Sequence, residues 1–259
     1  MKTEPQTTER PVVLLTGGTG VVGQSLLRAL AVSGYDVVYT TRSEAKKATY
    51  DHAATGAQGA VTGVVVNLED ADAAQTLTHL LHGWLGRLVG IVHNVRNLDH
   101  LKLGPSGEVA EGSWFGEFKL GVVLPHALTL SLVGAGAPLS SVVVISSMYG
   151  VVAPQPGLYT DFVRQSPVHY GPVKAAAIQL TKELAVRLAP QGVRVNCVSY
   201  GGVAGRAPAD FVERYAQRTP INRMLDEADI PGPVLFLLSA AASGVNGHNL
   251  ICDGGWSIW

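Results

Sequence analysis

Short β-branched runs alternate with longer stretches of helical spacing from one end of the chain to the other. A strand buried on both faces reads as a near-continuous apolar run, and a helix following it crosses back over the sheet. The alternation therefore points to a parallel sheet covered on both sides by helices. The apolar runs lie at Val12–Thr16, Asp36–Thr41, Val61–Asn67, Leu88–His93, Ser141–Ser146, Arg194–Val198 and Asn249–Cys252, which gives seven expected strands. Helical spacing is found over Gly20–Ser33, Asp70–His82, Trp114–Leu132, Val168–Leu188 and Glu227–Ala240, each followed by Gly, Pro or Ser. The expected fold class is α/β and doubly wound. Two stretches, Ala153–Pro167 and Ser199–Pro208, are too irregular for either element. Both follow strands, so both should overhang the carboxyl edge of the sheet, where ligands bind in such folds.

The chain has 259 residues, close to the ~250 that one large α/β domain commonly reaches. No composition shift, repeat or low-complexity tract divides it, so residues 1–259 read as one domain, with 1–10 a flexible N-terminal tail. Lys and Arg total 19 against 20 Asp and Glu, which leaves no electrostatic footprint for nucleic acid or an anionic membrane. With 47% apolar and 15% charged residues, a large core is available and disorder is excluded. Cys197 and Cys252 stand far apart in apolar strand-like segments and read as buried thiols in a reducing compartment. No Cys or His cluster has metal-ligand spacing, so no metal is expected. The segment from Met1 to Pro11 is polar, unlike a signal peptide. Pro125, His126 or charged residues interrupt each apolar run before the ~18 residues a membrane span needs. A cytoplasmic protein with a small-molecule substrate is expected, with neither nucleic acid nor membrane as partner.

The first strand runs into Thr16-Gly17-Gly18-Thr19-Gly20-Val21-Val22-Gly23 and then a helix. Gly17 and Gly20 permit a tight turn and close backbone approach to a pyrophosphate, and Gly23 permits close packing of the helix. The helix N-terminus adds aligned N–H donors. This is a dinucleotide-binding arrangement. The second strand ends in Thr40-Thr41-Arg42-Ser43, with no acidic residue to accept from a free ribose 2′-hydroxyl. Arg42 instead offers a planar fork suited to a 2′-phosphate, so NADP(H) is favoured, with NAD(H) the alternative.

Tyr170-Gly171-Pro172-Val173-Lys174 opens a long helix, and the spacing puts phenol and ammonium on one helical face. A free phenol has a pKa of ~10, so proton exchange near neutrality needs a cationic neighbour, and Lys174 is one. Upstream, Val142-Val143-Val144-Ile145-Ser146-Ser147 ends a buried strand with hydroxyls at the ligand edge.

In this order, these groups resemble the short-chain dehydrogenase/reductase family, a Rossmann-type fold, and the resemblance covers nearly the whole chain. It also includes His93-Asn94-Val95-Arg96 where the family has Asn-Asn-Ala-Gly, Arg194-Val195-Asn196 entering the sixth strand, and the tail Asn249-Leu250-Ile251-Cys252-Asp253-Gly254-Gly255. The resemblance implies that Tyr170 is the general acid/base, that Lys174 favours its phenolate and holds the nicotinamide ribose, and that Ser147 orients the substrate. Ser147 rather than Ser146 is chosen because Ser147, Met148, Tyr149 and Gly150 match the family's Ser-x-x-Gly spacing. The cofactor contacts it implies are Gly17, Thr19, Gly20, Val22, Arg42, Asn67, Leu68, Asn94, Lys174, Gly201 and Val203. It also implies a homodimer or homotetramer formed through the long helices and the last strand, while Trp256, Ile258 and Trp259 should be buried against the body or a subunit.

The chain departs from the family pattern at several positions. Val21 stands where the commonest branch has glycine, and Arg96 where a small residue is usual. Arg96 either grips an anionic or polyhydroxylated substrate or points to solvent. Lys119 occupies the place of an Asn that serves a proton relay, and Tyr200-Gly201 replaces Pro-Gly, with Tyr200 more readily a packing residue than a ligand contact. The 22 residues between Ser147 and Tyr170 form a longer insert than usual, read as a substrate wall or lid, somewhat like branches that modify sugars and sugar acids. The leading expectation is an NADP(H)-dependent oxidoreductase interconverting a carbonyl and a secondary alcohol on a small polar or secondary-metabolite substrate. A non-redox isomerase, lyase or cyclase on the same fold is the alternative, and a non-catalytic nucleotide sensor is a third reading.

Overall fold

Among the residues that the computed structural model describes, 9–51, 57–205 and 207–258, seven strands pair in parallel. They are β1 (Val12–Leu15), β2 (Asp36–Thr41), β3 (Val61–Val65), β4 (Leu88–His93), β5 (Ser141–Ser147), β6 (Arg194–Tyr200) and β7 (Asn249–Cys252), in the order β3-β2-β1-β4-β5-β6-β7. The expected fold class holds: an α/β, Rossmann-type sheet wound in both directions from β1. Chain order reverses between β1 and β4, so their carboxyl ends diverge into a crevice. Most of the segment expected to be a flexible tail, and Trp259, lie outside the described residues.

The helices are α1 (Val21–Val32), α2 (Glu44–Tyr50), α3 (Ala73–Leu80), α4 (Glu111–Phe118), α5 (Leu124–Gly134), α6 (Phe162–Gln165), α7 (Tyr170–Leu188), α8 (Ala209–Ala216) and α9 (Pro231–Leu238). Strand alternation sends side chains to two cores. Val12 and Leu14 join Ile91, Leu77 of α3, Leu128 of α5 and Leu184 of α7 on one face. Val13 and Leu15 join Val143, Leu26 of α1 and Val234 of α9 on the other. A third cluster, Met148, Leu158, Tyr215, Met224 and Trp256, lies beyond the strand ends.

A π-helical turn, Lys119–Val123, joins α4 to α5, so Pro125 at the start of α5 does not break the helix. The result, Glu111–Gly134, has the length and composition of a membrane span, contrary to the reading that every apolar run is interrupted. Leu120, Leu124, Leu128 and Leu132 nonetheless bury its inner face in the first core. Cys197 is buried but Cys252 only partly so, at the exposed edge strand; both thiols are free. Trp256 is buried whereas Ile258 is 76% exposed. The insert after β5 is not wholly irregular: it holds a tight turn at Pro156–Leu158 and the single-turn helix α6.

Candidate active site

The glycine turn after β1 is fixed by its neighbours on both sides. Gly17 has φ +70°, and a Cβ there would lie 2.7 Å from Val95 Cα. Its N–H donates to Thr40 Oγ1 at 2.9 Å. A Cβ on Gly23 would lie 2.4 Å from the Gly17 carbonyl oxygen, so glycine lets α1 sit directly on the turn. Asn94 Nδ2 donates to the carbonyls of Thr16 and Gly17, and the N–H groups of Asn94 and Val95 donate to Thr16 Oγ1, tying the ends of β1 and β4 together. Gly20 caps α1 without a side-chain hydrogen bond, so the cap residue itself does not occupy the first N–H groups of the helix. This cradle of backbone donors, too tight for a Cβ at Gly17 or Gly23, suits a pyrophosphate.

A cleft of about 710 Å³ runs from this turn across the carboxyl edge. It is lined by every residue proposed from the sequence: Gly17, Thr19, Gly20, Val22, Arg42, Asn67, Leu68, Asn94, Ser147, Tyr170, Lys174, Gly201 and Val203. Val21 lines it too, in place of the usual glycine. At the far end Arg42 is 56% exposed and stands 3.6 Å from Glu69. Ser43 and Lys46, which the sequence reading did not single out, join it there. Glu69 also accepts from Asn97 at 3.1 Å and meets His100 Nε2 at 2.5 Å. Burial pushes its carboxyl up, but these two hydrogen bonds, with the charges of His100 and Arg42, hold it below the usual range.

At the other end Ser147 closes β5 and Tyr170 opens α7. Both serines line the cleft; Ser146 donates to the Lys174 carbonyl at 2.9 Å, whereas Ser147 Oγ accepts from the Tyr149 N–H at 3.2 Å. Lys174 Nζ donates to the Ile145 carbonyl at 3.3 Å and lies 5.6 Å from the centre of the Tyr170 ring. Arg96 is an exposed residue whose side chain reaches the Tyr170 ring. Its guanidinium carbon is 4.5 Å from the Tyr170 ring centre, and Nη1 is 3.5 Å from the phenol oxygen.

Lys119 donates to the Glu69 carbonyl from the π-helical turn, so its ammonium braces the loop after β3. Tyr200 is buried and its hydroxyl donates to the Ile230 carbonyl, which makes it a packing residue at the floor of the cleft. The insert contributes Tyr159, which meets Tyr149 hydroxyl to hydroxyl at 3.2 Å and Phe211 of α8 at 5.4 Å between ring centres. Phe211 continues to Tyr215, and Tyr215 stacks at 4.5 Å on Trp256. Tyr149 also meets Tyr170 edge to face at 6.5 Å. Sequence reasoning had this insert as a wall but missed the ring partners from α8, which are far away along the chain.

A family model described as enoyl-(acyl carrier protein) reductase matches residues 20–257. The isoepoxydon dehydrogenase of Penicillium expansum is 28% identical, over 94% of this chain and 93% of that protein. Dehydrogenase/reductase SDR family member 4 of Homo sapiens is 30% identical, over 94% of this chain and 86% of that protein. A solved chain from Beutenbergia cavernae, described as an NAD(P)-dependent gluconate 5-dehydrogenase with NADP at low occupancy, superposes with a TM-score of 0.82. Its identity is 27%, over 96% of this chain and 97% of the other.

Proposed function

We propose that this chain, which belongs to the short-chain dehydrogenase/reductase family, is an NADP(H)-dependent oxidoreductase that interconverts a carbonyl and a secondary alcohol on a small polar, sugar-like substrate. The observation that carries the reading is the meeting of Ser147, Tyr170 and Lys174 with the glycine turn along one cleft. The turn and the start of α1 would hold the pyrophosphate, Asn67 and Leu68 the adenine side, and Lys174, Gly201 and Val203 the nicotinamide side. Arg42, Ser43 and Lys46 offer donors and positive charge to a 2′-phosphate, which favours NADP(H) over NAD(H).

The chemistry such a cofactor supplies is a hydride to the carbonyl carbon, and its return in the reverse direction. The chain's own residues do the rest. Ser147 Oγ donates to the substrate oxygen and Tyr170 passes it a proton, so that hydride and proton together complete the alcohol. The Lys174 ammonium, anchored on the Ile145 carbonyl, stabilises the phenolate left behind. The aromatic wall excludes water from one side.

General acid/base catalysis contributes about 10²–10⁴-fold, so Tyr170→Phe should lower turnover of carbonyl substrates by that factor while NADPH affinity stays within a few-fold. The loss of NADPH absorbance on mixing with a panel of ketones and ketoses reads the first, and fluorescence titration the second. Full turnover in the variant would overturn the assignment.

A further inference from the structure

The roles of Ser147, Tyr170 and Lys174 leave Arg96 without one, although it lies closer to the Tyr170 ring than Lys174 does, 4.5 Å against 5.6 Å. Behind it stands Glu117 of α4, 2% exposed, with Oε1 3.8 Å from Arg96 Nε and Oε2 without a hydrogen-bond partner. A guanidinium is a rigid planar fork, so an ion pair on its Nε side favours an orientation that leaves the Nη donors directed elsewhere. Here Nη1 is directed at the Tyr170 oxygen, 3.5 Å away.

That distance constrains what fits. A reacting oxygen that accepts from Tyr170 lies one hydrogen-bond length from the phenol, within reach of Arg96 Nη1. A second oxygen on the adjacent carbon can accept from the guanidinium when that carbon lies on the Arg96 side. Tyr149, Tyr159 and Phe211 line the same cleft, whereas Arg96 places a charged donor beside the phenol, so an oxygen-bearing carbon is favoured next to Arg96. Glu117 also decides the charge of that oxygen. A substrate carboxylate placed on Arg96 would approach a second, buried carboxylate, whereas a hydroxyl satisfies the donor with no like-charge repulsion.

We propose that Arg96 selects substrates bearing a neutral oxygen on the carbon next to the reacting one: α-hydroxyketones in the reducing direction and vicinal diols in the oxidising direction. Glu117 is the positioning residue that holds Arg96 for this task. The inference rests on the oxidoreductase reading above and names its substrate class.

The test compares kcat/KM at saturating NADPH for acetone, hydroxyacetone and pyruvate, and for cyclohexanone and 2-hydroxycyclohexanone, in the full chain and its variants. Hydrogen bonds to charged groups make the expected hydroxyketone-to-ketone ratio about 10–100 in the natural protein. The ratio should collapse toward one in Arg96→Met and fall partway in Arg96→Lys; any general effect on Tyr170 cancels from it. In Glu117→Gln, where the guanidinium charge is no longer opposed, preference should move about tenfold from hydroxyacetone toward pyruvate, a shift that loss of packing alone would not produce. A ratio unchanged in both Arg96 variants, or pyruvate preferred by the natural protein, overturns this inference and leaves the oxidoreductase reading standing. NADPH bound but oxidised by none of the five compounds contradicts that reading, and this inference with it.

Discussion

At His93, the last residue of β4, the imidazole is buried, with Nε2 2.9 Å from Thr129 Oγ1 and Nδ1 without a partner. Burial pulls its pKa down to about 3. The unfolded chain, with an ordinary histidine pKa of ~6.5, binds a proton that the folded one refuses, so stability falls as pH drops through 6.5 toward 3. Between pH 7 and 5 this one group should remove up to about 2 kcal/mol. Urea unfolding at both pH values should show the natural protein losing that much more than His93→Gln; equal losses would mean that His93 is protonated in the fold. Legibility differed sharply among the site residues. Ser147, Tyr170, Lys174 and Gly17 carry local spacing that a reader can see. Glu117 looks like any polar helix residue, and only the fold brings it to 3.8 Å from Arg96.

The elements around the glycine turn are held by close approach rather than by side-chain bonds. Gly17→Ala combines a left-handed φ of +70° with a Cβ 2.7 Å from Val95 Cα. It should cost about 1–3 kcal/mol of stability and weaken dinucleotide binding at least tenfold, since the turn and the segment after β4 must move apart. Denaturation and a nucleotide titration of the variant read both, and binding at the natural affinity would contradict the cradle described here. All seven strands were legible because strands covered on both faces are continuous apolar runs. Their ends were not. β6 extends to Tyr200 because β5 and β7 continue to pair with it, and β3 stops at Val65, where β2 ends. The short helices α2, α6 and α8 escaped the sequence reading: α2 and α6 bury no residue, and α8 buries only Tyr215, so none shows a long apolar stripe.

For the molecule as a whole, the winding of the sheet gathers strand ends from distant parts of the chain onto one edge, and every proposed site residue lies on one cleft there. The aromatic wall could not be read beforehand because its rings come from the insert, α8 and the tail. The long helices carry exposed apolar groups, Phe115 at 67%, Val123 at 49% and Val186 at 77%, which supports assembly of two or four copies through those faces. Light scattering should then give a dimer or tetramer mass, and a monomer at micromolar concentration would contradict it. The nicotinamide site draws on all of these elements at once. Calorimetric titration of the natural protein and Arg42→Ala with NADPH, NADP⁺, NADH and NAD⁺ tests it. Tight NADP(H) binding, weakened about 10–100-fold by the substitution with little change for NAD(H), is the predicted result. Binding of none of the four would rule out a nicotinamide site in this cleft.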